Sequence, residues 1–147
     1  MKPEELHRGG YCISTDKSKI DVPLVHEWLS QRSYWAKGRP LDVVRSSIEN
    51  SLCFGVYKSD QQIGFARVVT DYATFSWLCD VFIVENYRGR GLGKRLVAAI
   101  VEHPQLQNAK LFLLATSNAH QLYAQYGGFE PLPMTGKWMV RIRDGKD

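Results

Sequence analysis

Residues 81–100 read VFIVENYRGRGLGKRLVAAI, and this stretch decides the fold of the chain. An apolar run typical of a β-strand leads into a basic, glycine-rich turn, and an amphipathic helix follows directly. Glycine permits backbone conformations and close approaches that other residues do not allow. The first N–H groups of a helix have no partners within it and lie at the positive end of its dipole. Together with Arg88 and Arg90, these features predict a binding site for a phosphate or pyrophosphate.

The spacing of the glycines excludes two common phosphate-binding loops. A dinucleotide fingerprint, G-x-G-x-x-G, would need its third glycine where Lys94 stands. A Walker loop would need serine or threonine where Arg95 stands. An arginine–glycine tract that binds RNA would be repeated, whereas this one occurs once, between a predicted strand and a predicted helix. The remaining pattern is Arg-x-x-Gly-x-Gly over Arg88, Gly91 and Gly93.

The composition indicates one globular domain over residues 1–147. Hydrophobic residues make up 44% of the chain, and the formal net charge is +4. No apolar run approaches the roughly 20 residues that span a bilayer, and the polar first ten residues do not resemble a secretory signal. Three cysteines without metal-type spacing predict reduced thiols, a cytoplasmic location and no metal site. The charge suits an anionic cofactor and would equally suit weak non-specific contact with nucleic acid, which is not the partner we expect.

Hydrophobic periodicity predicts strands and helices that alternate along the chain, with no linker dividing them. The predicted strands cover residues 11–14, 52–57, 62–70, 74–84, 111–116 and 137–143, and helices begin near 21, 40, 92 and 118. Asp21 is expected to cap the first helix, and Asn118 or Ser117 the last, which Gly127 and Gly128 should end. This order predicts an α/β fold, a sheet with helices on both faces.

The pattern over Arg88, Gly91 and Gly93 resembles the acyl-coenzyme A pyrophosphate loop of the GCN5-related N-acetyltransferase (GNAT) family. The order of predicted elements is also similar to that family's, from about residue 13 to residue 142. The resemblance implies an acyl-CoA N-acyltransferase-like fold, whose mixed central sheet is mostly antiparallel and flanked by helices. It also implies an enzyme, an N-acetyltransferase that moves the acetyl group of acetyl-CoA directly to an amine without a metal.

The resemblance further implies which residues bind the coenzyme. The pantetheine arm would pair with backbone groups of residues 81–83, including Phe82 and Ile83, and the Ile83 N–H would polarise the acetyl carbonyl. Asn118 would hydrogen-bond the coenzyme, or act only as a helix cap. The pyrophosphate would bind the N–H groups of one loop, formed by Arg88, Gly89, Arg90, Gly91, Leu92, Gly93 and Lys94.

Tyr123 is the implied general acid. In the family a tyrosine that follows leucine on the late helix faces the sulfur, and Leu122-Tyr123 matches that pattern. A phenol with a pKa near 10 is protonated at neutral pH and can donate to a nascent thiolate. Four residues separate Tyr123 from Gly128, where the family commonly has three. Tyr126 is the alternative acid, and we expect it to pack instead, because it lies about 60° away around the helix.

Two carboxylates are the other catalytic candidates. Asp80 interrupts an otherwise apolar run, and a buried carboxylate is costly unless it is paired or functional. It is expected to share a face of the strand with Phe82, where it deprotonates the acceptor amine or pairs with Arg67. Glu85 stands where the family often has proline, and it either takes the proton of the amine or is a solvated turn residue.

In the family, the loop at residues 33–40 gates the acceptor side. Tyr34 and Trp35 would offer flat apolar walls, and Lys37 and Arg39 positive charge, so an amine with an acidic or aromatic part would fit. The identity of this acceptor, a small molecule or a protein, stays open. Alternative functions are a non-catalytic acyl-CoA sensor or interaction module on the same fold, and nucleic-acid binding by the basic loop. A homodimer is compatible with the sequence.

Overall fold

The structure, a computed structural model, describes residues 2–143. One six-stranded sheet runs through it with its strands in chain order, antiparallel except for the parallel last pair. The strands are β1 (Glu5–Arg8), β2 (Tyr11–Ser14), β3 (Leu52–Lys58), β4 (Gln61–Thr70), β5 (Phe75–Ile83) and β6 (Leu111–Leu114). The helices are α1 (Val22–Arg32), α2 (Leu41–Glu49), α3 (Leu92–Glu102) and α4 (His120–Gly127). The predicted mixed, mostly antiparallel sheet flanked by helices is confirmed.

A hydrophobic core lies on each face of the sheet. Because side chains alternate along a strand, Phe54 of β3 joins one core and the neighbouring Cys53 joins the other. The first core receives the apolar faces of α3 and α4: Leu92, Leu96, Val97, Ile100 and Tyr123. The second receives those of α1 and α2: Val25, Trp28, Leu29, Val44 and Ile48. None of the helices in the described part is long and apolar enough to cross a membrane.

Local signals at the helix ends are partly confirmed. Asp21 caps α1, since its Oδ1 accepts the Leu24 N–H at 3.1 Å. Gly128 ends α4 in the left-handed conformation, with φ of 71°. The predicted cap of α4 by Asn118 or Ser117 is wrong, because the helix begins only at His120. No described side chain caps α4: its N-cap residue is Ala119, whose own N–H is bound by the Thr116 hydroxyl at 3.1 Å.

The two ends of the sheet differ from the prediction. β1 was not predicted, since its residues ELHR are all exposed and include one apolar residue, Leu6, too few for an apolar alternation. It forms because Gly9 and Gly10, both with positive φ, make the tight turn that pairs it with β2. The predicted strand at residues 137–143 is wrong. Its alternating pattern is present, but none of the described strands pairs with it, and a strand exists only through its partner.

The sheet opens between its last two strands. β6 pairs with β5 only from Phe75 to Leu78, and β5 continues alone to Ile83. Beside the opening, β5 carries an extra residue relative to β4, and Asp80 there has φ of 54°. This β-bulge reverses, from Asp80 onwards, which face of the sheet each successive side chain of β5 points to. It turns Asp80 towards the α1–α2 side, the same side as Phe82, as predicted.

Candidate active site

The opening between β5 and β6 leads into a cleft of about 440 Å³. One wall consists of the second half of β5, and the other consists of the chain that connects β6 to α4. The loop at residues 33–40 contributes the third side. Five of the predicted site residues come together on this lining: Tyr34, Trp35, Asp80, Asn118 and Tyr123.

Tyr123 reaches the cleft from α4 and is 8% exposed. Its ring packs edge-on against Phe129, with the ring centroids 6.2 Å apart. Burial raises the pKa of Tyr123 to about 12, so the phenol stays protonated well above neutral pH. α4 extends through Gly127, so the additional residue before Gly128 lengthens the end of the helix beyond Tyr123. Tyr126 is absent from the cleft lining and packs against the core.

Asp80 is the centre of a buried ion cluster. Its Oδ2 accepts hydrogen bonds from Arg39 at 2.8 Å and Arg67 at 2.9 Å, and its Oδ1 accepts one from the Trp35 indole at 2.8 Å. Burial by itself would raise the pKa of Asp80, but the two guanidinium groups outweigh it and hold that pKa below its ordinary value. The predicted pairing with Arg67 is confirmed, and Asp80 is ionised.

The loop at residues 33–40 crosses the cleft and is fixed at both ends. The Ser33 hydroxyl donates to the Leu29 carbonyl at 2.7 Å and accepts the Ala36 N–H at 2.9 Å. Across the cleft, the Tyr34 Oη accepts the Ser117 N–H at 2.9 Å, and this hydrogen bond lowers the pKa of Tyr34. These hydrogen bonds hold the loop over the cleft. About half of the Tyr34 surface remains exposed to solvent.

The predicted phosphate-binding loop has the backbone that the motif requires. Gly89 and Gly91 have φ of 79° and 78°, a region that disfavours other residues. α3 begins at Leu92, with Gly91 as its N-cap and no side chain capping it. The N–H groups of the first turn therefore point out of the helix without helical partners. This arrangement of N–H groups at the positive end of α3 suits an anion.

The arginines of this loop bind within the protein rather than extending freely. Arg88 donates from Nε to the Ile83 carbonyl at 3.1 Å. Arg90 donates to the Tyr11 hydroxyl at 3.0 Å and to the Asn86 carbonyl at 3.3 Å. The side chains thus fix the shape of the loop, and the backbone supplies the donors that face outward. The expectation that both arginines contact phosphate stays a prediction.

The loop lies between the end of β5 and the helix that carries Tyr123. Arg88 forms the link to β5 described above. On the other side, the Lys94 ammonium lies 5.3 Å from the centre of the Tyr126 ring on α4. A methyl group at Gly93 would lie 4.0 Å from Leu122, the neighbour of Tyr123. An anion on this loop would therefore be close to the helix whose tyrosine lines the cleft.

The end of β5 presents its backbone to the opening. The Val84 N–H donates to the Ile63 carbonyl on the β4 side at 2.8 Å. Since the direction of N–H groups alternates along a strand, the Ile83 N–H points the opposite way, into the opening. The Phe82 side chain is not available to a ligand there, because it stacks on Trp28 with centroids 4.2 Å apart. Only the backbone of Phe82 could contribute.

Glu85 does not join the other candidates. It lines a separate concavity of about 300 Å³ beside α1. There it accepts hydrogen bonds from the Trp28 indole at 3.1 Å and from Arg32 at 3.2 Å, and both interactions lower the pKa of Glu85. The structure thus separates Glu85 from the cleft that holds Tyr123 and Asp80.

Several residues of the cleft lining were not among the predicted site residues, and two of them stand out. Trp77 and Cys79 line it from β5, and burial raises the pKa of the Cys79 thiol to about 11. Both precede the one charged residue of an otherwise largely apolar run, and the sequence does not show that this residue sits in a bulge. Once the fold is known, the exposure of Trp77 on a strand beside the cleft indicates that it belongs to the lining.

One group in the described part could hold a metal ion, and it lies outside the cleft. Glu5, His7 and Cys12 on β1 and β2 place their potential ligand atoms within 4.8 Å of one another. Cysteine spacing along the chain does not indicate this group, because strand pairing creates it. Glu5 is already bonded to Lys19 and to the Ser14 hydroxyl, and both contacts are with its Oε2 atom.

Comparison with known proteins identifies the family. A family model described as the acetyltransferase (GNAT) family matches residues 22–129, most of the chain. The chain belongs to the GNAT family. The matched range includes the phosphate-binding loop, the ion cluster at Asp80 and the helix that carries Tyr123. The resemblance inferred from the loop is confirmed, and so is the prediction of an acyltransferase.

Individual relatives agree with this GNAT assignment. A solved GNAT-family structure from Xanthomonas campestris pv. campestris is 46% identical, with a TM-score of 0.89 over 95% of this chain and 98% of that one. A protein of Gibberella zeae, named "Putative acetyltransferase", is 29% identical over 81% of this chain and 79% of its own length. An acetyltransferase structure from Clostridium acetobutylicum, determined with acetyl-CoA, shares the fold at 14% identity and a TM-score of 0.58, over 90% of this chain and 94% of that one.

The buried carboxylate of Asp80 and the more exposed carboxylate of Glu85 should contribute differently to the free energy of unfolding. The Asp80 side chain is 2% exposed, so Asp80→Ala leaves Arg67 buried without its partner and should lower the free energy of unfolding by about 3 kcal/mol. The exposed Glu85 pair should contribute less than about 1 kcal/mol, which makes Glu85→Ala the control. Urea denaturation followed by circular dichroism measures both. Equal losses in the two variants would contradict the role given to the ion cluster.

Proposed function

We propose that this chain transfers an acetyl group from acetyl-CoA directly to an amine. The observation that carries the proposal is the cleft between β5 and β6, which holds the buried phenol of Tyr123 near an anion-binding helix start. Acetyl transfer needs a cofactor cleft, a donor for the carbonyl oxygen and an acid for the departing thiolate. The Clostridium acetobutylicum structure with acetyl-CoA supports the choice of cofactor.

Backbone groups would hold the coenzyme. The N–H groups over residues 88–94 would bind the pyrophosphate, with the dipole of α3 favouring its negative charge. The free edge of β5 at Val81 and Ile83 would hydrogen-bond the extended pantetheine arm, much as a strand edge binds a peptide. The Ile83 N–H would then donate to the thioester carbonyl, where negative charge develops during attack.

Tyr123 would donate its proton to the sulfur. A thiol has an ordinary pKa of about 8.5, below the value of about 12 for this phenol. The cleft reduces this difference in pKa, because desolvation raises the pKa of a thiol for the same reason that it raises the pKa of Tyr123. In the ground state the phenol remains protonated and ready to donate.

No carboxylate on the lining is free to act as the base. Asp80 is the only carboxylic acid among the described lining residues. The three groups that donate hydrogen bonds to it, on Trp35, Arg39 and Arg67, keep their protons at neutral pH. Its lowered pKa also makes it a weak base. We therefore assign Asp80 to positioning Trp35 and Arg39, and propose that the amine reaches the thioester as the free base, after losing a first proton to solvent. Attack leaves a positive nitrogen, whose second proton would return through water to the phenolate of Tyr123 once the phenol has protonated the thiolate.

The charge of the cleft favours an acceptor with an anionic group. Its charged lining residues are Arg39, Arg67 and Asp80, two cations and one anion. Arg67 is nearly buried and also donates to the Ser51 hydroxyl at 3.1 Å, whereas Arg39 is more exposed. The partly exposed rings of Tyr34, Trp35 and Trp77 offer an apolar surface beside it. We propose an amine that carries a carboxylate or phosphate and a flat or apolar part.

A panel of amines tests the activity. Release of the CoA thiol is measured with acetyl-CoA and amines that differ in charge and aromatic content, and the acetylated product is identified by mass spectrometry. We expect acetylation of at least one anionic amine. Tight binding of acetyl-CoA without thiol release from any amine would instead support the non-catalytic sensor.

The role of Tyr123 predicts a loss of turnover without a loss of binding. Tyr123→Phe removes the proton donor and should lower kcat about 100-fold, the order expected for a general acid. The dissociation constant for acetyl-CoA should change less than about threefold, since the ring remains. Tyr126→Phe is the matched control on the same helix and should keep normal turnover. An unchanged kcat in Tyr123→Phe would remove this residue from the acid role.

The loop predicts a dependence of coenzyme binding on charge at residue 91. Aspartate and asparagine both tolerate positive φ better than most residues and have similar shapes, so they differ chiefly in charge. Gly91→Asp places an anion beside the pyrophosphate and should weaken acetyl-CoA binding at least about tenfold relative to Gly91→Asn. Isothermal titration calorimetry measures both constants. Equal affinities would refute the assignment of the loop.

The excess positive charge predicts selectivity for anionic amines. Arg39→Gln should raise KM about tenfold for an anionic amine and leave KM for a neutral amine of the same shape nearly unchanged, since it removes one charge–charge interaction. Lys37→Gln, in the same loop but outside the cleft lining, is the control. Steady-state kinetics with the paired amines measures the effect. A similar rise for both amines would indicate that Arg39 only supports the loop.

A further inference from the structure

Three potential metal ligands of different chemistry meet on the hairpin formed by β1 and β2. Glu5 and His7 stand two residues apart on β1, so their side chains point to the same face of the sheet. Cys12 of β2 is the direct cross-strand partner of His7 in this antiparallel pair. Side chains of directly opposed residues start only about 5 Å apart. The pairing therefore brings a carboxylate, an imidazole and a thiol onto one small area of the sheet.

The separations of these ligand atoms are close to those of a tetrahedral zinc site. Zinc bonds of about 2.0 Å to nitrogen, about 2.1 Å to oxygen and about 2.3 Å to sulfur set tetrahedral edges of about 3.4 Å between nitrogen and oxygen and about 3.6 Å between nitrogen and sulfur. Nε2 of His7 lies 3.4 Å from Oε1 of Glu5 and 3.8 Å from Sγ of Cys12. Sγ of Cys12 and a carboxylate oxygen of Glu5 lie within 4.8 Å of each other. A small side-chain rotation brings this third separation into the same range.

The other contacts of Glu5 hold its carboxylate and leave one oxygen for the ion. The Lys19 ammonium and the Ser14 hydroxyl both donate to Oε2, the hydroxyl at 3.0 Å, whereas Oε1 faces His7. Ser14 is fully buried, and its hydroxyl also accepts the Asp16 N–H at 3.0 Å. Carboxylate ligands in metal sites are generally oriented by such hydrogen bonds from neighbouring residues.

From this geometry we propose that the hairpin binds one Zn²⁺ ion through Oε1 of Glu5, Nε2 of His7 and Sγ of Cys12. The Cys12 thiol loses its proton to solvent as the sulfur–zinc bond forms, so the thiolate and the carboxylate balance the charge of the ion. The mixed set of oxygen, nitrogen and sulfur favours zinc over Mg²⁺ or Ca²⁺, which prefer oxygen ligands. Water takes the fourth position, since the His7 side chain is 69% exposed.

The ion joins β1 to β2, because two of its ligands lie on one strand and the third lies on the other. β1 is the first strand of the sheet order, so β2 is its neighbour in the described sheet, and all four of its residues are exposed. An edge strand with so little buried apolar surface opens readily. A metal crosslink opposes this opening. None of the three ligands lines the candidate active site, so this role is structural.

The same hairpin supports the predicted phosphate-binding loop and the start of α3. The Tyr11 hydroxyl accepts a hydrogen bond from Arg90 at 3.0 Å, and the Arg8 carbonyl accepts one from Arg95 at 3.3 Å. Tyr11 and Arg8 face each other at the turn end of the hairpin. A metal ion that holds the two strands together therefore also fixes the partners of both arginines.

Metal titrations test the site on the full chain, without an affinity tag and after removal of metals with EDTA. Co²⁺ adopts the same tetrahedral coordination and absorbs visible light. One equivalent should produce its visible bands together with a thiolate-to-cobalt charge-transfer band in the near ultraviolet, and Zn²⁺ should displace it. Isothermal titration calorimetry should give one Zn²⁺ per chain. A missing charge-transfer band would overturn the proposal.

Variants identify the ligands. Cys12→Ser should remove the charge-transfer band, and Cys12→Ser, His7→Gln and Glu5→Gln should each weaken Zn²⁺ binding at least about tenfold. Cys79→Ser and His120→Gln are the matched controls, since they remove another partly exposed thiol and an exposed imidazole, and both should bind with full affinity. Circular dichroism of the metal-free variants should match that of the parent chain, because the three side chains lie outside both cores. Full affinity in Cys12→Ser, or loss of binding in the controls, would refute the site.

Hydrogen exchange followed by mass spectrometry tests the crosslink. Zn²⁺ at about ten times its dissociation constant should slow exchange in peptides covering residues 5–14 about tenfold, since opening of the hairpin then requires release of the ion. Peptides from α2 should exchange at an unchanged rate, and Cys12→Ser should show no response to Zn²⁺. Binding of Zn²⁺ that leaves exchange in the hairpin unchanged would contradict the structural role of the ion.

Discussion

The site depends on one constraint, the early end of pairing between β5 and β6. A parallel pair that continued to Ile83 would fill the opening and satisfy the backbone groups of β5 internally. Because the pairing stops at Leu78 and Leu114, four or five residues of β5 keep one edge free within an otherwise continuous sheet. A buried strand with a free edge is unfavourable unless a ligand or water pairs with it. The free edge of β5 therefore offers backbone groups that water or a ligand can pair with.

The β-bulge at Asp80 determines which side chains line the opening. It places the carboxylate on the same side as Phe82 and beneath the loop at residues 33–40. Three donors from separate parts of the chain then converge on one carboxylate: Trp35, Arg39 and Arg67. A buried ion cluster of this kind contributes little net stability compared with apolar packing, but it is costly to break. The cluster instead holds the loop at residues 33–40 in a fixed position relative to β4 and β5.

Sequence patterns predicted the features that depend on neighbours along the chain. The turn over residues 88–94, the cap at Asp21 and the helix end at Gly128 are of this kind, because a few adjacent residues determine each of them. Features that depend on distant partners were missed or misjudged. Of the ion cluster only the pair with Arg67, 13 residues away, was predicted, and the contacts with Trp35 and Arg39, 45 and 41 residues away, were missed. β1 was missed because it exists only through its pairing with β2. The segment at 138–143 shows the converse, since its strand pattern finds no partner among the described strands.

The electrostatics of the cleft explain why an acid with a high pKa is compatible with acetyl transfer. Negative charge would develop first on the carbonyl oxygen and then on the sulfur. The cleft lining carries net positive charge, since Arg39 and Arg67 outnumber Asp80, and the Ile83 N–H and the buried Tyr123 phenol would be the donors in the proposed reaction. Donors fixed in advance stabilise developing charge without reorganisation. The phenol therefore needs no lowered pKa in the resting protein. A phenolate would be repelled by the thiolate and could not donate to it, so the burial that raises the pKa of Tyr123 is consistent with the acid role proposed for it.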